Sequence, residues 1–321
     1  MIWGYIFVFI VFCLLLALSG RWLVAALARI AKFLGWREFV AAFIIALGTS
    51  ISNLFVGVIS ALHKIPQLSF GDILGGNVID LTLVMALAIF FTGGICTDSR
   101  TVRSSSLFTL FIAILPLVLA LDGNISRVDG VILIMAFFPY VWWLFSKNER
   151  FSRVYDGKIK EESSKSLRGL KLFFKDIGIL LAGLVLLLLS SEIIVRSATY
   201  FSENLGISVL SIGILIVALG NCLPEAYFSI ASARAGQTWM ILGNLMGSVI
   251  VCSTLVLGVV ALIYPIQITN FSPFAAARFF LVISSLFFII FLRTDRKLTR
   301  REGLFLLLLY ISFVITEILV R

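Results

Sequence analysis

The chain has 321 residues, 60% of them hydrophobic and 13% charged, with a mean hydropathy of +1.10. Those values exclude an ordinary soluble domain. The formal net charge is +9, but the basic residues do not cluster on a soluble face, so nucleic acid is not the expected partner.

Ten apolar stretches follow one another, at roughly 2–20, 39–62, 70–92, 105–121, 129–146, 173–191, 207–232, 239–263, 275–292 and 303–320. Each is long enough to cross a bilayer core as a helix, which predicts an all-α membrane protein with ten transmembrane helices. No positive charge precedes the first stretch and no small-residue cleavage site follows it, so it is expected to be a retained helix. Helices 2, 3, 7 and 8 differ from the rest in carrying polar residues near their middles. Helix 2 has Thr49, Ser50, Ser52 and Asn53, and helix 3 has Asp72, Asn77 and Asp80. The segment 147–172 is polar, lacks apolar periodicity and reads as a flexible linker. Helix 7 has Asn221, Cys222 and Glu225 with Gly220 and Pro224 interrupting the backbone ladder, and helix 8 has Asn244 and Ser248.

With the amino terminus outside, 21 Lys and Arg residues fall at inner loops or inner helix ends and 5 fall outside. The excess predicts a chain with both termini outside and the 147–172 loop in the cytoplasm, in the cell membrane, with the bilayer and its anionic lipids as a partner.

Residues Ala46 to Ala86 recur at Ala218 to Gly258 after a constant shift of 172. Ala46-Leu47-Gly48 matches Ala218-Leu219-Gly220, Gly71 and Gly75 match Gly243 and Gly247, and Thr82-Leu83-Val84 matches Thr254-Leu255-Val256. The expected organisation is a first repeat over 1–146, a linker over 147–172 and a second repeat over 173–321. Five helices per copy is an odd number, so the copies have inverted topology, the plan of many secondary transporters with a site between the copies.

The polar residues fall at spacings of four, hence on single helix faces: Thr49 and Asn53, Gly76 and Asp80, Asn221 and Glu225, Ser248 and Cys252. Four such faces meeting at mid-membrane make an oxygen-rich cage with carboxylates, suited to hard cations such as Ca²⁺ and Na⁺. The plain alternative is that these side chains only bind the helices together. Asp72 reads as a charge near the entrance of helix 3, favoured by the helix dipole. Glu192, Glu317, Asp122 and Asp129 read as solvated interfacial residues, and His63 as a solvated loop residue. Cys222 and Cys252 admit a softer-metal reading, weighed against small buried thiols that keep their protons.

At these residues the chain resembles the sodium/calcium exchanger superfamily, the calcium:cation antiporters, whose repeats carry G-T-S-x-P-E followed by G-N-x-x-G-S-N. Here the first copy reads Gly48-Thr49-Ser50-Ile51-Ser52-Asn53 and Gly71-Asp72-Ile73-Leu74-Gly75-Gly76-Asn77. The second reads Gly220-Asn221-Cys222-Leu223-Pro224-Glu225 and Gly243-Asn244-Leu245-Met246-Gly247-Ser248-Val249. The resemblance implies ion ligands at Thr49, Ser50, Asn53, Asp80, Asn221, Glu225, Ser248 and Cys252, with backbone carbonyls from Ala46 and Ala218. The family's first-copy Glu is Asn53 here, its Thr-Ser is Asn221-Cys222, its helix 3 Ser is Gly76 and its polar helix 8 residue is Cys252. Two carboxylates, Asp80 and Glu225, remain from opposite copies.

The expected function is antiport of Ca²⁺ or a related divalent cation against Na⁺ or H⁺ by alternating access, with short helices 1 and 6 sliding against the bundle. The substrates are inorganic cations, and no cofactor is expected. Without a phosphate loop or a nucleophile–base pair, an ATP-driven pump or a membrane enzyme is disfavoured. The loss of Glu at Asn53 motivates a rival, a degenerate homologue that binds ions or a partner without transport. The topology has its own test. In a cysteine-free background, a His63→Cys variant should react with a membrane-impermeant maleimide in intact cells. A Ser163→Cys variant should react only after the membrane is opened.

Overall fold

The computed structural model describes residues 2–33, 50–96, 100–146, 167–234, 236, 238–269, 271–294 and 297–320. The described residues are helical almost throughout. The first half contains α1 (Ile2–Phe33), α2 (Ile51–Leu62), α3 (Gln67–Ile79), α4 (Met85–Thr92), α5 (Arg100–Leu119) and α6 (Arg127–Ser146). The second half contains α7 (Leu167–Leu205), α8 (Val209–Ile212), α9 (Ala218–Asn221), α10 (Leu223–Arg234), α11 (Thr238–Val251), α12 (Leu257–Ile263), α13 (Phe271–Thr294) and α14 (Arg300–Leu319). Single π-helical turns at Asp80–Val84, Gly213–Val217 and Cys252–Val256 join α3 to α4, α8 to α9 and α11 to α12, so each pair runs on as one rod. Among the described residues seven helical stretches are long and apolar enough to cross a membrane. Two shorter apolar helices, Ile51–Leu62 and Ser106–Asp122, stand beside them.

Two of the π turns, at Asp80 and at Cys252, lie 172 residues apart, the shift of the sequence repeat. Their local cause is repeated as well. Thr82 Oγ1 donates to the Val78 carbonyl and Thr254 Oγ1 to the Ile250 carbonyl, each four residues back. Such back-bonding competes for the carbonyl that the next backbone N–H would use and so loosens the turn. The two small antiparallel bridges follow the same symmetry. β1 (Ile95–Cys96) pairs with β4 (Lys297–Leu298), and β2 (Asn124–Ile125) pairs with β3 (Ile266–Gln267). Each bridge joins one half of the chain to the other, so the halves are tied at both ends of the bundle.

The core lies between the halves. Gly71 on α3 and Gly213 at the start of the π turn after α8 face each other so closely that a Cβ on either would strike backbone atoms of the other segment. Gly75 sits in the same way against the Ile214 carbonyl and the Ala218 side chain. Small residues here let two helix backbones touch, the usual means of packing helices in lipid. At Gly243 and Gly247, which match Gly71 and Gly75 under the repeat, no described neighbour lies within 4 Å of a Cβ. The residues that match the partners of Gly71 and Gly75 under the repeat, 38–46, lie outside the described ones.

Helices 1 and 6, expected to be short, are the longest. α1 has 32 residues and α7 has 39. The reason is that each continues past its apolar run as a polar helix. Arg29 at the far end of α1 meets Asp176 of α7 at 2.8 Å, and at the other end Tyr5 stacks on Tyr200 with ring centroids 3.7 Å apart. α7 begins at Leu167, inside the segment read as linker; residues 147–166 lie outside the described ones. Glu317 is also corrected. It is fully buried rather than solvated, because it extends the buried stripe Gly303, Leu306 and Phe313 of α14.

The glycine contacts give a signed stability prediction. Gly71→Ala or Gly213→Ala should each destabilise the detergent-solubilised protein by about 1–3 kcal/mol, because rigid backbone must move to admit the methyl. Gly178 on α7 has open space around it, so Gly178→Ala should leave the melting temperature unchanged or raise it. Melting followed by tryptophan fluorescence separates the two outcomes.

Candidate cation-binding site

The polar residues of four helical segments meet in the buried centre. α3 and its π turn supply Asp72, Asn77 and Asp80, and α9 and α10 supply Asn221 and Glu225 with Cys222 at the break between them. α2 supplies Asn53, with Ser50 at its start, and α11 with its π turn supplies Ser248, Cys252 and Ser253. The break at Cys222 follows from Pro224. Proline has no N–H to offer the Gly220 carbonyl, so the ladder is interrupted and a new helix starts at Leu223.

Asp80 is 2% exposed and Glu225 is 0% exposed. Ser248 Oγ donates to Glu225 Oε1 at 3.3 Å, and Ser248 and Cys222 flank Asp80. Asp80 and Glu225 lie within each other's field. Asn53 Nδ2 donates to Cys252 Sγ at 3.1 Å, with Ser50 also beside that thiol. Cys222 Sγ points at the Gly76 carbonyl at 3.6 Å. The structure therefore brings together Asp80, Glu225 and Ser248 across the two halves, and Asn53 with Ser50 and Cys252 across α2 and the Cys252 turn. Ala218 is buried, and its carbonyl already accepts the Cys222 N–H at 3.0 Å. Ala46 and Thr49 lie outside the described residues.

Several buried oxygens here have no donor among the described residues. They are Asn53 Oδ1, Asp72 Oδ1, Asp80 Oδ1, Asn221 Oδ1 and Glu225 Oε2. A buried acceptor left unpaired costs about 1–3 kcal/mol, and more when it carries charge. Five such oxygens where these segments meet make a set that packing alone leaves costly. Cys222 and Cys252 lie among these oxygens, and among the described residues no three His, Cys, Asp or Glu side chains gather closely enough to share a metal.

Asp72, like Glu317, is placed differently from the sequence reading. It is 2% exposed, not an entrance charge, and its Oδ2 accepts from Asn221 Nδ2 at 2.7 Å. The signal was present in the spacing, since Asp72 stands four residues before Gly76 and eight before Asp80, on the same stripe of α3. His63, Glu192 and Arg196 lie away from this centre as an exposed cluster, with His63 Nε2 2.9 Å from Glu192 Oε2. Asp122 and Asp129 accept local backbone N–H groups from Asn124 and Ser126.

Comparison with known proteins agrees with this geometry. The family described as sodium/calcium exchanger protein matches residues 4–146 and 175–319, nearly the whole chain. The chain is 26% identical to the sodium/calcium exchanger MaX1 of Methanosarcina acetivorans, over 92% of this chain and 93% of that one. It is 28% identical to the inner membrane protein YrbG of Escherichia coli, over 82% and 81%. Its fold is similar to that of the sodium-calcium exchanger NCX_Mj soaked with 100 mM Na⁺ and 10 mM Sr²⁺, with a TM-score of 0.65 and 27% identity over 98% of this chain and 99% of the other. Two repeat-related π turns, a proline-broken helix and buried carboxylates from both halves thus occur in a multi-pass membrane chain that belongs to the sodium/calcium exchanger family.

Proposed function

We propose that the protein is a secondary-active antiporter that exchanges Ca²⁺ or a related divalent cation for Na⁺ or H⁺ by alternating access. Its ten helices would form two inverted five-helix repeats, 1–146 and 173–321, with both termini outside and the 147–172 loop in the cytoplasm of a cell membrane. The observation that carries this reading is the pair Asp80 and Glu225. They come from opposite halves, are buried together, and each keeps an oxygen without a donor among the described residues. Two carboxylates in a low-dielectric interior repel when empty and are stabilised by bound positive charge. The neutral oxygens of Thr49, Ser50, Asn53, Asn221 and Ser248, and the backbone carbonyls of Ala46 and Ala218, complete the proposed cage; Cys252 borders it. α1 and α7, held to each other at both ends, would move as a unit against the bundle.

The Asn53–Cys252 contact favours a second reading, a homologue that binds a cation without exchanging it, because where the family carries a Glu this chain has a neutral amide already bonded to a thiol. Radiotracer flux decides between them. Reconstituted protein should take up ⁴⁵Ca²⁺ against an imposed Na⁺ or H⁺ gradient; cation-dependent stabilisation without uptake would establish the binding-only homologue.

Two further outcomes follow from the charge count. Asp80→Asn and Glu225→Gln should each cut divalent flux about a hundredfold or more, the loss expected when a buried charge contact of about 3 kcal/mol is removed. Neither should lower the melting temperature of the ion-free protein, because each removes a repulsion. The central pair carries two negative charges, which one divalent ion or two monovalent ions neutralise. Flux with the membrane potential clamped should therefore respond little to voltage, and a steep response would refute a central count of two.

A further inference from the structure

Arg278 stands inside the apolar run of α13, seven residues past Phe271 and so about 10 Å along the helix from its start. Among the described residues it has no acidic partner, since the ion pairs there join Arg29 to Asp176 and both His63 and Arg196 to Glu192. Its guanidinium meets instead the face of Phe274, with Cζ 5.5 Å from the ring centroid. Phe274 lies one turn nearer the start of α13, so the side chain leans back towards the membrane boundary at that end. Long cationic side chains near the ends of membrane helices commonly do so, keeping the charge at headgroup level with apolar surface below it.

The same arginine lines an open groove of about 640 Å³ between α5 and α13, helices from opposite halves of the chain. Every other described residue of the lining is apolar, among them Ile114 and Val118 of α5, Leu121 just past its end, and Phe279 and Val282 of α13. The bridge of β2 with β3 ties the segment after α5 to the segment before α13. Leu121 and Arg278 therefore lie towards one mouth of the groove, and Ile114 and Val282 lie deeper. A cation near the mouth with an apolar body behind it has the form of a site for an amphiphile with a negative head. We propose that this groove binds one anionic phospholipid, its phosphate held by Arg278 and an acyl chain laid along the seam between the two halves. The planar guanidinium matches phosphate oxygens with two parallel hydrogen bonds, and basic pockets between membrane helices recognise anionic headgroups by the same chemistry. A zwitterionic or neutral lipid would fill the apolar body equally well but leave the guanidinium without a matching net charge.

The test uses the full-length protein, purified in a non-ionic detergent and stripped of lipid, with dioleoyl phosphatidylglycerol as the probe. Native mass spectrometry measures its retention, and thermal melting measures its stabilising effect. One phosphatidylglycerol should be held about tenfold more tightly than phosphatidylcholine, the effect of one charged hydrogen-bonded contact, and should raise the melting temperature. Arg278→Gln should abolish both the preference and the lipid-dependent rise while leaving the lipid-free melting temperature unchanged. Arg278→Lys keeps a point charge without the fork and should fall between the two. Val118→Trp fills the groove but leaves the guanidinium in place, and it too should weaken phosphatidylglycerol binding about tenfold; this variant decides the matter if those at Arg278 do not fold. Undiminished retention in either Arg278→Gln or Val118→Trp would overturn the proposal. So would an equal loss in Arg301→Gln, a change at an exposed arginine of α14, because it would mean attraction to basic surface at large. Glycerol phosphate, the head without chains, should not compete. Competition by it, or displacement of the phospholipid by an equal concentration of oleate, would also overturn a phospholipid site.

Discussion

A carboxylate in the interior of a membrane protein has to be compensated from within the fold, because neither water nor lipid will do it. This chain places three of them, Asp72, Asp80 and Glu225, in its buried centre, and much of the architecture serves to hold them there. Their nearest partners are neutral: an asparagine for Asp72, a serine for Glu225, a serine and a thiol for Asp80. Neutral donors orient a carboxylate but do not cancel its charge. Under the proposed reading the transported cation supplies the counter-charge.

Holding such groups in register requires helices that are both close and irregular. Closeness comes from Gly71, Gly75 and Gly213, where backbones touch and no side chain intervenes. Irregularity comes from the π turns at Asp80 and Cys252 and from the proline break after Cys222, each of which lies at a polar residue of the centre. A wide turn re-aims one side chain without ending the helix, so a rod can stay apolar towards its packing partners and still present a carboxylate inward. The same residues thus serve stability and chemistry.

Two of the departures from the family pattern meet in one place. Asn53 and Cys252, on α2 and the Cys252 turn, have become a neutral hydrogen-bonded pair, whereas negative charge sits along α3 and at Glu225. The three carboxylates of the buried centre are therefore shared unevenly between the halves, two on α3 and its π turn and one on α10.

The sequence by itself determined the class, the repeat, the four polar helices and the central pair Asp80 and Glu225, because membrane crossing and helical spacing are written in local order. It also located the break at Pro224, a covalent property of proline. Which polar residues meet was decided only by tertiary structure. Asp72 looked like an entrance charge because its distance from the helix start is visible in sequence, whereas its contact with Asn221, 149 positions away, is not. Glu317 looked solvated for the same reason, and its burial depends on which face α14 turns to the bundle. The lengths of α1 and α7 escaped hydropathy because each runs on past its apolar stretch as a polar helix, α1 with Arg29 paired to Asp176 of α7. Hydropathy records what a segment would do alone in a bilayer, and these helices are not alone.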